Sequence, residues 1–233
     1  SAWIAENVAF GTTMVDRITP ATTDEHRATV LAATGFSDAA PVPTEPFSEW
    51  VIQGEFPAGR PAWDAAGARI VDDVMPFERR KLALLNGSHS LMAYAATILG
   101  HETVADAIGD PRVQGWVDQW WDEACAHIPL PAADLADYRA ALLDRYHNPN
   151  IRHALAQIAG DGSLKIPVRA VPILKAELAE GRTPVGSARV VAAWVLHLRG
   201  LGAPIKDVNA DAVRPLGEGT LAEAVAKVLG FLD

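Results

Sequence analysis

The chain has 233 residues, 49% of them hydrophobic and 21% charged, which is long enough for a packed core and too apolar for a wholly disordered chain. Twenty Lys and Arg against 29 Asp and Glu leave a formal charge of −9 with no basic run, an argument against nucleic-acid binding. The longest purely apolar run, 190–196, is too short to span a bilayer, no charged-then-apolar leader stands at the N-terminus, and Cys125 is the single cysteine. An intrachain disulfide and a multi-cysteine zinc site are thereby excluded, and a reducing, cytoplasmic setting is expected.

Residues 1–75 are rich in Pro, Gly and Thr and carry short β-prone runs; strands are predicted at 7–10, 14–18, 50–52 and 69–71. Thr23 is the expected N-cap of a short helix over 24–32 with acids in its first turn. Three prolines make 39–46 a loop or extended connector. From Pro76 the apolar positions recur at three and four as far as Leu99, ahead of Gly100. Further helices are predicted over 102–108, 111–127, 133–146, 150–159, 168–180, 185–199 and 221–229, with Gly and Pro breakers between them. No fixed-period repeat or low-complexity tract interrupts the pattern. The expected fold is mainly α: a multi-helix domain over 76–233, preceded by a small β-containing segment over 1–75.

One helix carries an unusual face. Counting roughly 100° per residue from Lys81, His89 falls near 80° and Asn86 near 140°, on the side that Leu85, Met92 and Ala96 define. Burying an ammonium or an unpaired amide costs several kcal/mol unless it is compensated, so this side is expected to line a polar cavity. A lysine in a low-dielectric cleft can serve as a base near neutral pH. An asparagine amide can donate to a developing alkoxide or a ketone oxygen, and a histidine can orient a neighbouring hydroxyl. The three together suit removal of a hydroxyl proton while a hydride leaves the same carbon. The bland alternative stays open on spacing alone: Lys81 snorkels, Asn86 caps a kink at Gly87, and His89 is a satisfied core histidine.

The run KLALLNGSH at 81–89 resembles the signature of the polyol-specific long-chain dehydrogenases, the mannitol dehydrogenase and fructuronate reductase family. TMVDRITPATT at 13–23, EPFSEWVIQGEFPAGRPAW at 45–63 and HNPNIRHALAQIAGDGSLKIPVR at 147–169 are similar to further stretches of that family. The resemblance implies Lys81 as the acid and base, Asn86 at the reacting oxygen, and His89 positioning the substrate. It also implies that Asp16, beside Val15, and Lys165 contact the substrate. It implies NAD or NADP as cofactor, no metal, and an oxidoreductase that interconverts a polyol or sugar acid with its 2-keto form. Gln157 stands where mannitol dehydrogenases carry an arginine, and the surrounding pattern looks more like fructuronate reductases. That favours a hexuronate whose carboxylate could pair with Arg152, Lys165 or Arg169. Mannitol 2-dehydrogenase activity and a non-catalytic helical binding domain are the alternatives.

Further expectations follow from what the pattern lacks. Family members are about twice this length, and their Gly-rich phosphate turn is not found. The chain is therefore expected to be the C-terminal portion only, with residues 1–75 a remnant of the cofactor domain. It would need a missing N-terminal dinucleotide-binding domain as its partner, and it would be inactive alone. The one formal match to G-x-G-x-x-[GA], Gly217 to Ala222, is read as a helix cap at Gly219 or Thr220. Trp116, Trp120, Trp121 and Trp194 are read as packing residues. His26, His101, His147, His153 and His197 are read as ordinary surface or core residues.

Overall fold

The structure is a computed structural model that describes residues 2–233. The chain divides into two compact units, one ending at Glu78 and the other Arg79–Asp233.

The first unit opens with α1 (Ala2–Asn7), closed by the Asn7 side chain donating to the Trp3 carbonyl at 3.0 Å. The strand expected at 7–10 does not form. Val8 and Phe10 are exposed, so no buried face holds that segment extended. Strand β1 (Thr12–Asp16) pairs antiparallel with β2 (Glu49–Gln53), Met14 opposite Val51, and β3 (Arg69–Ile70) lies parallel to β2. Along β1, Met14 and Asp16 are buried and Val15 is exposed, as a strand's two-residue period requires. β1 stops short of the predicted 18. The Ile18 N–H donates instead to a Glu45 carboxylate oxygen at 2.6 Å, and its carbonyl accepts from the Glu45 N–H. Helix α2 (Asp24–Thr34) carries the expected Thr23 cap, completed by His26 in a reciprocal capping box.

The second unit is helical, so the chain is mainly α with a small β element before it. Its first helix is not uniform. α3 (Met75–Arg80) passes into a π-helical stretch, Lys81–Gly87, then α4 (Ser88–Leu91), then a second π stretch, Met92–Ala96. There follow α5 (Val104–Ile108), α6 (Pro111–Cys125), α7 (Ala132–Tyr146) and α8 (Leu155–Ile158). The remaining helices are α9 (Gly162–Arg169), α10 (Val171–Ala179), α11 (Val185–Leu198), α12 (Ala210–Val213) and α13 (Leu221–Leu232). Val113, Val117, Trp120, Trp121 and Ala124 give α6 one wholly buried stripe. Trp194, Tyr94, Tyr146, Leu84 and Leu91 fill the same core.

Two predicted helices differ from the expectation by more than a few terminal residues. The 150–159 helix is reduced to α8, because Ala154 bridges Thr103 and the Leu155 N–H donates to the Glu102 carbonyl at 2.9 Å. The 168–180 helix is two helices, and the first begins at Gly162, inside a stretch that reads as a breaker. Its start is fixed from a distance: the Asp207 carboxylate accepts from the Ser163 N–H at 2.9 Å and the Ser163 hydroxyl at 2.6 Å. Among the described residues no helix is long and apolar enough to cross a membrane.

Candidate active site

A π-helical turn bonds each N–H to the carbonyl five residues back, and it persists only where its neighbours satisfy the displaced carbonyls. Here α6 and α7 do so. The indole N–H of Trp120 donates to the Ala83 carbonyl at 2.8 Å, and that of Trp121 to the Leu84 carbonyl at 2.9 Å. The Tyr146 hydroxyl reaches the Leu85 carbonyl at 3.2 Å and shares a 2.8 Å hydrogen bond with the Ser88 hydroxyl. Gly87 is glycine for a related reason: a Cβ there would lie 2.4 Å from the Trp120 ring. The tryptophans are core residues, and they are also the donors that hold the π turn open.

That turn changes the geometry expected of an α-helix. A wider turn rotates less per residue, so the five steps from Lys81 to Asn86 overshoot a full circle by less. The angle between the two narrows from the α-helical expectation, and Lys81 and Asn86 span one i to i+5 interval. Both are half-buried, and His89, on α4, is buried.

Around Asn86 and His89 the second unit gathers a cationic cluster. One terminal guanidinium nitrogen of Arg169, Nη1, lies 3.4 Å from the Asn86 carbonyl and 3.2 Å from the Ser90 hydroxyl. The His89 ring stands 5.2 Å from that of His153, edge to face, and 5.1 Å from Tyr146. Burial, reinforced by His153, Arg169 and Arg145, holds His89 well below the usual imidazole range, so it is neutral at neutral pH. Burial and then Lys165 lower His153 in the same way. Lys165 donates to the Ile158 carbonyl at 3.1 Å; burial and then Arg169 push its ammonium down, while Asp161 and Asp207 act against the shift.

Of the predicted site residues in this unit, Asn86, His89, Lys165 and Arg169 are thus brought together, and Lys81 opens the turn that carries Asn86. Arg152 and Gln157 are exposed, and no described contact ties them to the cluster. Val15 and Asp16 lie in the first unit, on β1. His153 went unrecognised in the sequence because it shares no helical spacing with His89; its place in the 147–169 stretch was the only signal.

The comparisons bear on both units. Residues 73–231 match the family model described as the mannitol dehydrogenase C-terminal domain, and residues 1–65 match the mannitol dehydrogenase Rossmann domain. The chain belongs to the mannitol dehydrogenase family. It is 40% identical to the D-mannonate oxidoreductase of Escherichia coli K12 over 86% of this chain and 42% of that one. It is 40% identical to the D-arabinitol 4-dehydrogenase of Ralstonia nicotianae over 85% of this chain and 43% of that protein. A solved structure of Pseudomonas fluorescens mannitol 2-dehydrogenase, in ternary complex with NAD and D-mannitol, covers 99% of this chain and 52% of its own. It superposes with a TM-score of 0.83 at 34% identity. The chain spans a little under half the length of the curated relatives it matches.

The match over residues 1–65 corrects four linked expectations: that this mannitol dehydrogenase family chain is the C-terminal portion only, that NAD or NADP is bound mainly by a domain absent from it, that a missing N-terminal domain is its partner, and that it is inactive for that reason. Those expectations turned on the chain's length and on one signature, the glycine-rich turn. A segment of the same domain built from other strands and loops does not carry that signature.

In a phosphate cradle a glycine leaves free the space that a Cβ would fill. At Gly35, Gly59 and Gly67 a Cβ would meet nothing within 4 Å. Gly35 and Gly67 close helices, and Gly59 has the positive φ of a turn. In the formal match at 217–222, Gly219 has a φ of 87° and Thr220 caps α13 in a capping box with Glu223. These glycines thus serve helix ends and turns. Among the described residues no group of three His, Cys, Asp or Glu is placed to hold a metal ion.

Proposed function

We propose that the chain carries the substrate-oxygen chemistry of an NAD(P)-dependent polyol oxidoreductase, interconverting a secondary alcohol of a sugar alcohol with the corresponding ketose. The observation that carries this reading is the π turn, which brings Lys81 and Asn86 towards one side with the buried His89 two residues beyond it. The Lys81 amine takes the hydroxyl proton as the adjacent carbon gives up hydride, and returns it in the reverse direction. The Asn86 amide donates to the oxygen as negative charge builds there. His89, neutral and packed on Tyr146 and His153, holds a neighbouring hydroxyl as donor or acceptor. The hydride acceptor would be supplied by NAD or NADP when bound. The match to the Rossmann domain and the polyol dehydrogenases among the relatives support this assignment.

A sugar acid is the second reading. It is favoured by Lys165, a half-buried ammonium whose one described hydrogen bond is to the neutral Ile158 carbonyl, which leaves it available to a carboxylate. The test is a panel of mannitol, arabinitol and mannonate with NAD and NADP, scored by kcat/KM. Oxidation of a polyol ahead of mannonate is the expected result. Oxidation of mannonate alone selects the second reading, and no oxidation of any panel member with either cofactor overturns both.

A further inference from the structure

Arg169 faces two ways. Its Nη1 supports the Asn86 carbonyl and the Ser90 hydroxyl, while the other edge of the same guanidinium, Nε and Nη2, makes no hydrogen bond among the described residues. Among the described residues no carboxylate forms an ion pair with it, although the residue is half-buried. The free Nε–Nη2 edge of this half-buried guanidinium is the planar fork that a carboxylate meets with two parallel hydrogen bonds.

The same residue lines a cleft of about 450 Å³ in the second unit. Leu82, Ile128, Val168 and Ile173 supply apolar wall, and Arg79, Arg169 and His127 are the titratable lining. His127 is already matched, by the Glu177 carboxylate at 2.5 Å. Arg79 is exposed and has no described partner. The cleft therefore combines apolar walls, two unmatched arginines and no acidic residue. Lys81, Asn86 and His89 are not part of its lining, and Arg169, which touches the Asn86 carbonyl, is the one residue that the cleft shares with the proposed reaction site.

We propose that this cleft binds a small amphipathic monocarboxylate, with the carboxylate on the Nε–Nη2 edge of Arg169 and the apolar body against Leu82, Ile128, Val168 and Ile173. A sugar acid does not suit it, because its hydroxyls would lose water against those walls without gaining partners. A phosphate does not suit it either, because one guanidinium edge and one exposed arginine leave most of its acceptors unmet.

Titration calorimetry on the full chain with octanoate, 1-octanol and gluconate tests the proposal. Octanoate should bind saturably at one site, at least about tenfold more tightly than either of the others, the factor that one charge-assisted hydrogen bond is worth. Ala176→Trp, which fills the cleft, and Val168→Glu, an exposed change that sets a like charge at its wall, should each weaken octanoate by about the same factor or more. If Ala176→Trp fails to fold, Val168→Glu decides. Equal binding of octanol, equal binding of gluconate, non-saturating uptake of octanoate, or full affinity in a folded variant overturns the assignment.

Discussion

The Trp120 indole nitrogen donates to the Ala83 carbonyl at 2.8 Å while the same ring lies against Gly87. One residue of α6 thus satisfies the π turn and also fixes the space beside it. Trp120→Phe keeps one aromatic ring but removes the donor with its pyrrole ring, leaving a buried carbonyl short of a partner and a small void. It should lower the unfolding free energy by about 1–3 kcal/mol in urea denaturation. Gly87→Ala should cost at least as much, because a Cβ 2.4 Å from the ring forces Trp120 off its place. A Gly87→Ala variant as stable as the parent would show that the ring is free to move, and that it does not set the turn.

The elements were legible in the sequence where the signal was local. Thr23 and Thr220 each cap a helix with their own third neighbour, and the stripe on α6 follows simple periodicity. What was not legible depends on partners far along the chain. α9 begins at Gly162 because Asp207 reaches Ser163, and the π turn at Lys81 is held by residues 37 and 61 positions away. The α-helical angle between Lys81 and Asn86 was accordingly too large. The grouping of His89 with His153, on separate segments, had no pattern to announce it.

If Lys81 moves the proton and Asn86 steadies the oxygen, the two should fail differently. Lys81→Ala should lower kcat/KM for polyol oxidation by about 10²–10⁴. Lys81→Arg should not restore it, since a guanidinium gives up its proton too reluctantly to act as base. Asn86→Ala should cost about 10²–10³, mostly in kcat, because the amide matters most as charge develops. A near-parental rate in Lys81→Ala would remove the lysine from the chemistry.

His89 and His153 give stability a pH dependence of known sign. Both sit below the ordinary 6.5 when folded, chiefly through burial. In the unfolded chain they protonate near 6.5, so below that pH the unfolded state binds more protons and is favoured. The unfolding free energy should therefore be fully present above about pH 7 and fall as pH drops, by up to roughly 1.4 kcal/mol per pH unit for each histidine. His197, lowered by burial, adds in the same direction. Glu177, held low by Arg182, should contribute its loss only at more acidic pH. Urea denaturation at pH 7.5, 6.5 and 5.5 should show a shallower slope in His89→Gln/His153→Asn than in the parent. An unchanged slope would mean that these two imidazoles are not kept neutral in the folded state.

Asp161 is the one non-glycine with a positive φ among the described residues, at 57°. Its N–H donates to the Lys206 carbonyl at 2.9 Å, and its carboxylate accepts from the Val208 N–H at 3.0 Å, so the loop before α12 clamps the start of α9. Asparagine tolerates the left-handed conformation and keeps an acceptor, so Asp161→Asn should stay within about 0.5 kcal/mol of the parent. Valine meets the full backbone penalty and loses the acceptor, so Asp161→Val should cost about 2–4 kcal/mol. α9 also carries Lys165 and Arg169. The valine variant, assayed below its melting temperature, should therefore raise the KM of the polyol more than it lowers kcat, and the asparagine variant should restore both. Equal stability of the valine and asparagine variants would show that the left-handed start of α9 is not what positions it.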